Sequence, residues 1–553
     1  MAIKISQLPV GPGPPFQGDE VVALVDSGGT SQAALTSVLT YLSGANDGSG
    51  MPVLAAAGKN NFFTFLQTVS SDLVVTESIS GGNNLIVGTE IEFCTPTLGS
   101  VGGGTGHTIG GSYSVIGGGN DNETTCGCVT IGGGCGNFVD GNYGTVAGGY
   151  DNRSEACCAP TVGGGRKNLS CANYSTVGGG STNAALGDCS TVAGGGLLSA
   201  FGEYTTVGGG LSGCAIQAGA TLGGGRCNVA GGCYATIAGG LCNKTTNQAT
   251  FIGGGHNNIA TGLSALIVGG FANCSCGTGS AIVGGEYNLS CGENSFVGGG
   301  CMNCAETQNS VVAGGSCNQV YALSSFVGGG GNNCIGSGRT SSSIVGGVNN
   351  IVHCTAILSF IGGGLSNCAQ HCNTSVVGGE RNQAVGSHSF VGGGTANCSG
   401  GVQDTVVGGQ YNCTSGCGNN FIGNGCGNCV GTDTCFSAVV GGKMNCINGA
   451  NNTYGFVGGG CCNHICGTAA PQGVVTGGLN NVVNNACYGF IAGGKNNRVT
   501  HNGAAVVGSD IVSVGDDILH AKCLYLSAGA LPTSDPGVSG VIWRSGCTLM
   551  ISP

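Results

Sequence analysis

Short apolar pairs recur along most of this chain at a nearly constant spacing. Each pair follows a Ser or Thr and precedes two or three glycines, two variable residues and an Asn. Ser175-Thr176-Val177-Gly178-Gly179-Gly180 closes on Asn183, and Ser295-Phe296-Val297-Gly298-Gly299-Gly300 closes on Asn303. The closing asparagines stand at 228, 243, 258, 273, 288, 303, 318 and 333. A fixed period without helical periodicity is the mark of a solenoid. The pair predicts a strand, because β-branched and aromatic residues favour extended backbone. The glycines predict a turn or a close backbone approach. The Asn is expected either to take a left-handed conformation or to stack in a side-chain ladder.

The fold class expected is therefore all-β: a glycine-rich β-solenoid of ~15-residue turns, with small non-repeat segments at both ends. Some two dozen turns stacked at ~4.8 Å make a rod of roughly 120 Å. Neighbours such as Phe296 and Val297, Phe326 and Val327, or Phe360 and Ile361 point to opposite faces. One face fills the coil. The other would leave an apolar stripe on a monomer, so partner chains are expected to cover it, with a parallel homotrimer fitting best.

From Phe251 onward the first strand position is read as alternating by turn: Phe296, Val311, Phe326, Ile344, Phe360, Val376, Phe390, Val406, Phe421, Val439, Phe456, Val474, Phe490, Val506. Earlier it is Thr: Thr145, Thr161, Thr176, Thr191, Thr206, Thr221, Thr236. Large and small residues alternating in this way would interdigitate across a core. A coil of about thirty residues with two glycine corners is the rival reading.

The pattern divides the chain into residues 1–45, a transition region 46–98, the repeat array 99–508 and a C-terminal segment 509–553 that holds the only tryptophan, Trp543. Val21 to Val25 and Leu73-Val74-Val75 read as strands, and Ser31 to Leu42 as one helical piece. Glycine supplies 118 of 553 residues, roughly three times the usual share of about 7%. Without a three-residue period and with 11 prolines, the excess is not collagen-like. With 41% apolar residues and 7% charged, it is not the composition of disorder either. A net charge of -11 over this length argues against nucleic acid. No stretch approaches the ~20 apolar residues of a membrane span, and Met1 to Pro9 lack a secretory core, so lysis or virion assembly is the expected route outward.

Thirty-five cysteines fall in columns of the repeat. Cys135, Cys301, Cys426 and Cys461 lie two before the Asn. Cys304, Cys334, Cys368, Cys398, Cys413, Cys429 and Cys446 lie one after it. Small apolar residues at tight sites, turn-to-turn disulfides and metal ligands are the three readings of such columns. The CxxC pairs Cys301/Cys304 and Cys426/Cys429 arise from the two columns and have no His column beside them.

The Ser-x-Val-x-Gly-Gly-x-x-Asn unit resembles the head repeats of trimeric autotransporter (YadA-type) adhesins, and more closely the Gly-Asn-rich repeats of bacteriophage tail fibres. The resemblance covers about three quarters of the chain. It departs in the triple glycines and the cysteines. Met1-Ala2-Ile3-Lys4-Ile5-Ser6-Gln7-Leu8-Pro9 resembles virion-docking N-termini. Leu531-Pro532-Thr533-Ser534-Asp535-Pro536-Gly537-Val538 resembles a C-terminal segment of such proteins. The resemblance implies a virion fibre made in the host cytoplasm and acting outside the cell. Residues 1–45 attach to other virion structural proteins, and the distal end or loops meet a host-surface receptor, glycan or protein. A filament subunit or surface adhesin that polymerises without binding a receptor is the alternative.

No catalytic set stands out. The histidines at 107, 256, 353, 371, 388, 464, 501 and 520 form no column and sit in no nucleophile motif. No triad elbow or Walker loop is legible. Gly117 to Asn122 faintly resemble calcium-binding repeats, which need an Asp column where this chain has Asn. Acidic residues are too sparse for a depolymerase carboxylate pair. The Thr-to-Phe switch breaks any ice-binding array. Asn168-Leu169-Ser170 and Asn288-Leu289-Ser290 follow from the repeat itself. The expectation is a non-enzymatic protein without cofactor, metal, nucleic-acid partner or membrane insertion.

Overall fold

The computed structural model describes residues 99–522 except 339, 340, 451 and 469. It also describes short strands at Leu85–Ile86, Glu92–Phe93, Ile542–Ser545 and Thr548–Ile551, and a few residues between 531 and 537. The segments expected at Val21–Val25, Ser31–Leu42 and Leu73–Val75, and the whole of residues 1–45, lie outside the described residues. Two compact units meet the eye, residues 1–160 and 161–553. The described residues are all-β, without a helix among them, and form a parallel β-solenoid of about 28 turns with ~15-residue repeats.

One turn of the second unit shows the plan. Thr176–Val177 is the motif strand. Gly178 to Gly180 turn the corner, Ser181 makes a single bridge to the next coil, and Asn183 leads into the return strand Ala184–Ala185. A second corner brings the chain to Thr191–Val192, directly over Thr176–Val177. The turn is thus fifteen residues, not thirty. Later coils lengthen to seventeen or eighteen residues, as between Asn333 and Asn350 and between Asn445 and Asn463. The paired residues keep register across these longer coils, as in Cys334↔Ile351 and Cys446↔His464, apart from one shift between Val320 and Ala322.

Alternation places one residue of each strand inside. Val177, Val192, Val297, Ile344 and Val406 are fully buried, as are return-strand residues such as Ala185 and Ala305. The interior is one motif-strand aliphatic wide, so each coil must stack on its neighbours to bury it. Here a sequence expectation fails. Ile344, Val376, Val406, Val439 and Val506 are not first-position residues; all are second, inward and fully buried. Val311 and Val474 do hold the first position, each between two phenylalanines. Elsewhere beyond Phe296 the first-position partners are small, as in Phe326↔Ser343↔Phe360↔Ser375↔Phe390. The alternation therefore lies on the outer surface, and nothing interdigitates across the core.

The asparagine forms a ladder. Asn303 is fully buried. Its Nδ2 donates to the carbonyls of Gly299 and Gly315, both at 2.8 Å. Its Oδ1 accepts the backbone N–H of Asn318 at 3.0 Å. One side chain thus satisfies its own corner and joins it to the following coil. The same bonds repeat from Asn228 to Asn497, where Oδ1 accepts Ile511 N–H. The left-handed residue is instead the one before the asparagine, such as Thr182, Cys227, Tyr287 or Met302, all at φ near +55°. Its strain of about 1–2 kcal/mol for a non-glycine residue is offset by a backbone bond to an earlier coil, as in Met302 N–H to Glu286 O.

The third glycine is obligatory. Gly300 has φ +89°, and a Cβ there would overlap the Gly315 carbonyl oxygen and lie 2.7 Å from Asn303 Nδ2. In the first unit the same column reads His107, Asn122, Asn137, Asn152. His107 is buried, its Nδ1 accepts Asn122 N–H at 3.2 Å, and its Nε2 therefore donates to Gly103 O at 3.1 Å. An imidazole starts a ladder that amides continue.

Candidate functional site: the outer face of the stacked strands

With the interior filled by repeating aliphatic, amide and hydroxyl groups, chemistry is confined to the outward columns. The motif-strand face of the second unit has two distinct stretches. From Thr161 to Ala238 its outward residues are Thr followed two positions later by Gly or Ala, a polar and nearly smooth strip. From Phe251 to Val507 it is apolar and ordered in a checkerboard. A coil with Phe at the first position carries Gly two residues on, except that Ala492 follows Phe490. There the ring lies over the glycine: a Cβ at Gly328 would sit 3.2 Å from Phe326 Cε1, and one at Gly362 3.3 Å from Phe360 Cε1. The coils between mostly have Ser, Thr or Ala at the first position and Val two residues on. Leu266, Val311 and Val474 take the first position in three of them, and Ala313 and Thr476 follow the two valines. Phe326, Phe360 and Phe421 are each 38% exposed, and Val345, Val377, Val407 and Val440 stand 46–51% exposed between them. From Phe296 to Phe490 rings therefore recur every second coil, about 9.6 Å apart, with an outward valine on each alternate coil.

The cysteine columns also face outward. Every free cysteine among the described residues is half-buried or exposed, so none serves as an interior space-filler. The column two before the Asn is the bridge position, and the column one after it is the outward residue of the return strand. The CxxC spacing spans the corner between them. Burial pushes the Cys304 thiol up to about 11. Two turn-to-turn disulfides are formed, Cys276–Cys291 and Cys417–Cys435. Among the described residues no group of three or more His, Cys, Asp and Glu side chains is placed to hold a metal ion, and no helix is long and apolar enough to cross a membrane.

One buried acid was not singled out by sequence reasoning. Asp404 occupies the second corner, where most coils place Ser, Thr or Ala, and is fully buried. It accepts N–H bonds from Gly401 and Asn420, each at 2.8 Å. Burial still raises its carboxyl above the usual range, with those bonds opposing. Its frame position, directly before Thr405-Val406 where other coils have Ser, was the available signal. His464, half-buried, stands over Cys446 at the end of a cysteine column.

No protein-family model matches the chain, and no curated protein matches it.

Proposed function

We propose that the chain is a structural fibre of a bacteriophage virion, a non-enzymatic parallel homotrimer whose shaft presents the host-attachment surface. The observation that carries this reading is the apolar checkerboard from Phe251 to Val507. Monomeric soluble proteins rarely expose apolar patches beyond a few hundred Å². Some seventeen consecutive coils of phenylalanine and valine exceed that. Three parallel chains packed on this face remove it from water. The regular two-coil spacing of rings suits a partner with the same spacing, which another copy of the chain provides. The polar Thr strip before it and the sparse charge are compatible with an extended, solvated shaft. In this reading residues 1–45 dock on other virion structural proteins, and a glycan or protein receptor on the host meets the distal end or the loops.

Two measurements test it. Mass spectrometry of purified virions should find the chain in particles; its absence overturns the assignment. Sedimentation of the full-length chain should give a trimer, and replacing Phe326, Phe360 and Phe390 together by Ser should shift it toward monomer. A wild-type chain that stays monomeric at micromolar concentration refutes the packing.

A further inference from the structure

Four cysteines stand directly over one another on consecutive coils of the second unit. Cys398 pairs in parallel register with Cys413, Cys413 with Cys429, and Cys429 with Cys446. Each is the outward, half-buried residue of its two-residue strand. Directly paired strand residues in such a stack are about 4.8 Å apart, within the roughly 4.4–6.8 Å between Cα atoms that a disulfide spans. The same chain already bridges successive coils at its corners, just outside the strands. Cys276 and Cys291, fifteen residues apart, have Cα atoms at 4.5 Å; Cys417 and Cys435 have theirs at 5.4 Å.

Within the column the thiols are coupled in pairs. A side-chain hydrogen bond joins Cys398 to Cys413, and another joins Cys429 to Cys446. Cys413 and Cys429 interact only through space.

We infer that this column is a thiol–disulfide site. It takes a small disulfide such as oxidised glutathione and closes Cys398–Cys413 and Cys429–Cys446, stapling two pairs of adjacent coils. The site rests on strand register and on the coupling of the thiols in pairs, and stands whether or not the chain is a virion fibre.

The chemistry balances as two successive exchanges. The Cys429 thiolate attacks one sulfur of the small disulfide, whose S–S bond breaks, and one glutathione leaves as thiolate and takes a proton. Cys446 then loses its proton to water and attacks the Cys429 sulfur, and the second glutathione leaves. The protein gives up two electrons and two protons per bridge, and the oxidant gains both. The hydrogen bond from Cys446 lowers the Cys429 thiol to about 7, which supplies thiolate at neutral pH. The same bond raises Cys446. Capping Cys429 removes the charge that held that proton, and so frees the resolving thiol. Cys398 is lowered by Cys413 in the same manner.

The test uses the full-length chain, equilibrated with oxidised glutathione, alkylated and mapped by non-reducing peptide mass spectrometry. Expected are cross-links Cys398–Cys413 and Cys429–Cys446, each reversed by dithiothreitol. In Cys446→Ser, Cys429 should stop at the glutathione mixed disulfide while Cys398–Cys413 still forms. Serine at an outward strand position keeps the coil, and persistence of Cys276–Cys291 in the variant reports that it does. Three results overturn the inference: all four thiols still alkylated after oxidation, glutathione adducts alone on the wild-type chain, or Cys413–Cys429 as the dominant bridge.

Discussion

Replacing Asn303 by Ala probes what holds one coil to the next. The amide makes three bonds, to Gly299 O, Gly315 O and from Asn318 N–H. Not all three losses weigh equally. The Gly315 carbonyl keeps a second donor, Cys301 N–H at 2.9 Å. Asn318 N–H is buried and loses its acceptor, which costs about 1–3 kcal/mol, and the Gly299 bond adds about 1 kcal/mol. The sum is about 2–4 kcal/mol, concentrated on two coils because a solenoid shares strain only with its neighbours. Native-state hydrogen exchange at the Asn318 amide reads this directly. At 1.4 kcal/mol per factor of ten, its exchange should quicken by about 30- to 1,000-fold. Amides near Asn481 in the same molecule should keep wild-type protection. Exchange at Asn318 within about threefold of wild type would refute the view that the ladder carries inter-coil stability.

Gly300→Ala should cost more than about 2 kcal/mol, since it combines strained φ with a clash against the following coil. Gly254→Ala should be nearly silent, because a Cβ there meets nothing within 4 Å; equal losses in chemical denaturation would contradict the corner geometry. Asp404 gives a pH dependence of definite sign. Its folded-state carboxyl holds a proton to higher pH than the unfolded chain, whose value is near 3.8. Stability therefore falls as pH rises from that value through the raised one, and the full loss persists above it. Asp404→Ser, which restores the usual corner residue, should gain on wild type as pH rises through this window; a gap between the two that is constant with pH would count against it.

The period, the strand pairs and the inward aliphatic column were legible because each depends on local chemistry repeated many times. What was misread depended on frame. In Ser343-Ile344-Val345 three consecutive residues suit a strand, and only pairing with Phe326-Val327 shows Ser343 to be the outward member. Reading Ile344 as the first-position residue put an inward side chain into the same series as the outward phenylalanines, and turned a surface alternation into a core one. The role of Asn was open for a similar reason. Asn tolerates left-handed backbone, yet here a residue such as Tyr287 or Met302 takes that conformation, because the ladder needs the amide inside and its backbone extended. The cysteine columns were visible as columns, but their outward placement follows from strand alternation, which a two-residue strand displays only once its partner is known.

The ladder and the checkerboard together separate two requirements that most folds meet with the same residues. Inside, Asn, Gly and Val recur almost without variation, since each coil must offer the next the same donors, acceptors and volume. Outside, the constraint is lifted, and Thr, Phe, Val and Cys change from coil to coil without disturbing register. Variation on the outer face is therefore free to encode partners. The second unit uses that freedom in blocks: Thr columns first, then paired Phe and Val, with stacked thiols on the return strand toward its end. This yields a further expectation. Exchanging the outward residues of three adjacent Thr coils, Thr191, Thr206 and Thr221, for the Phe pattern (Phe, Ser, Phe with Gly and Val two residues on) should leave the fold intact. Circular dichroism and hydrogen-exchange protection should match wild type while sedimentation shows stronger association. Loss of protection in those coils would mean that the outer face also determines the stacking, and the division of labour would fail.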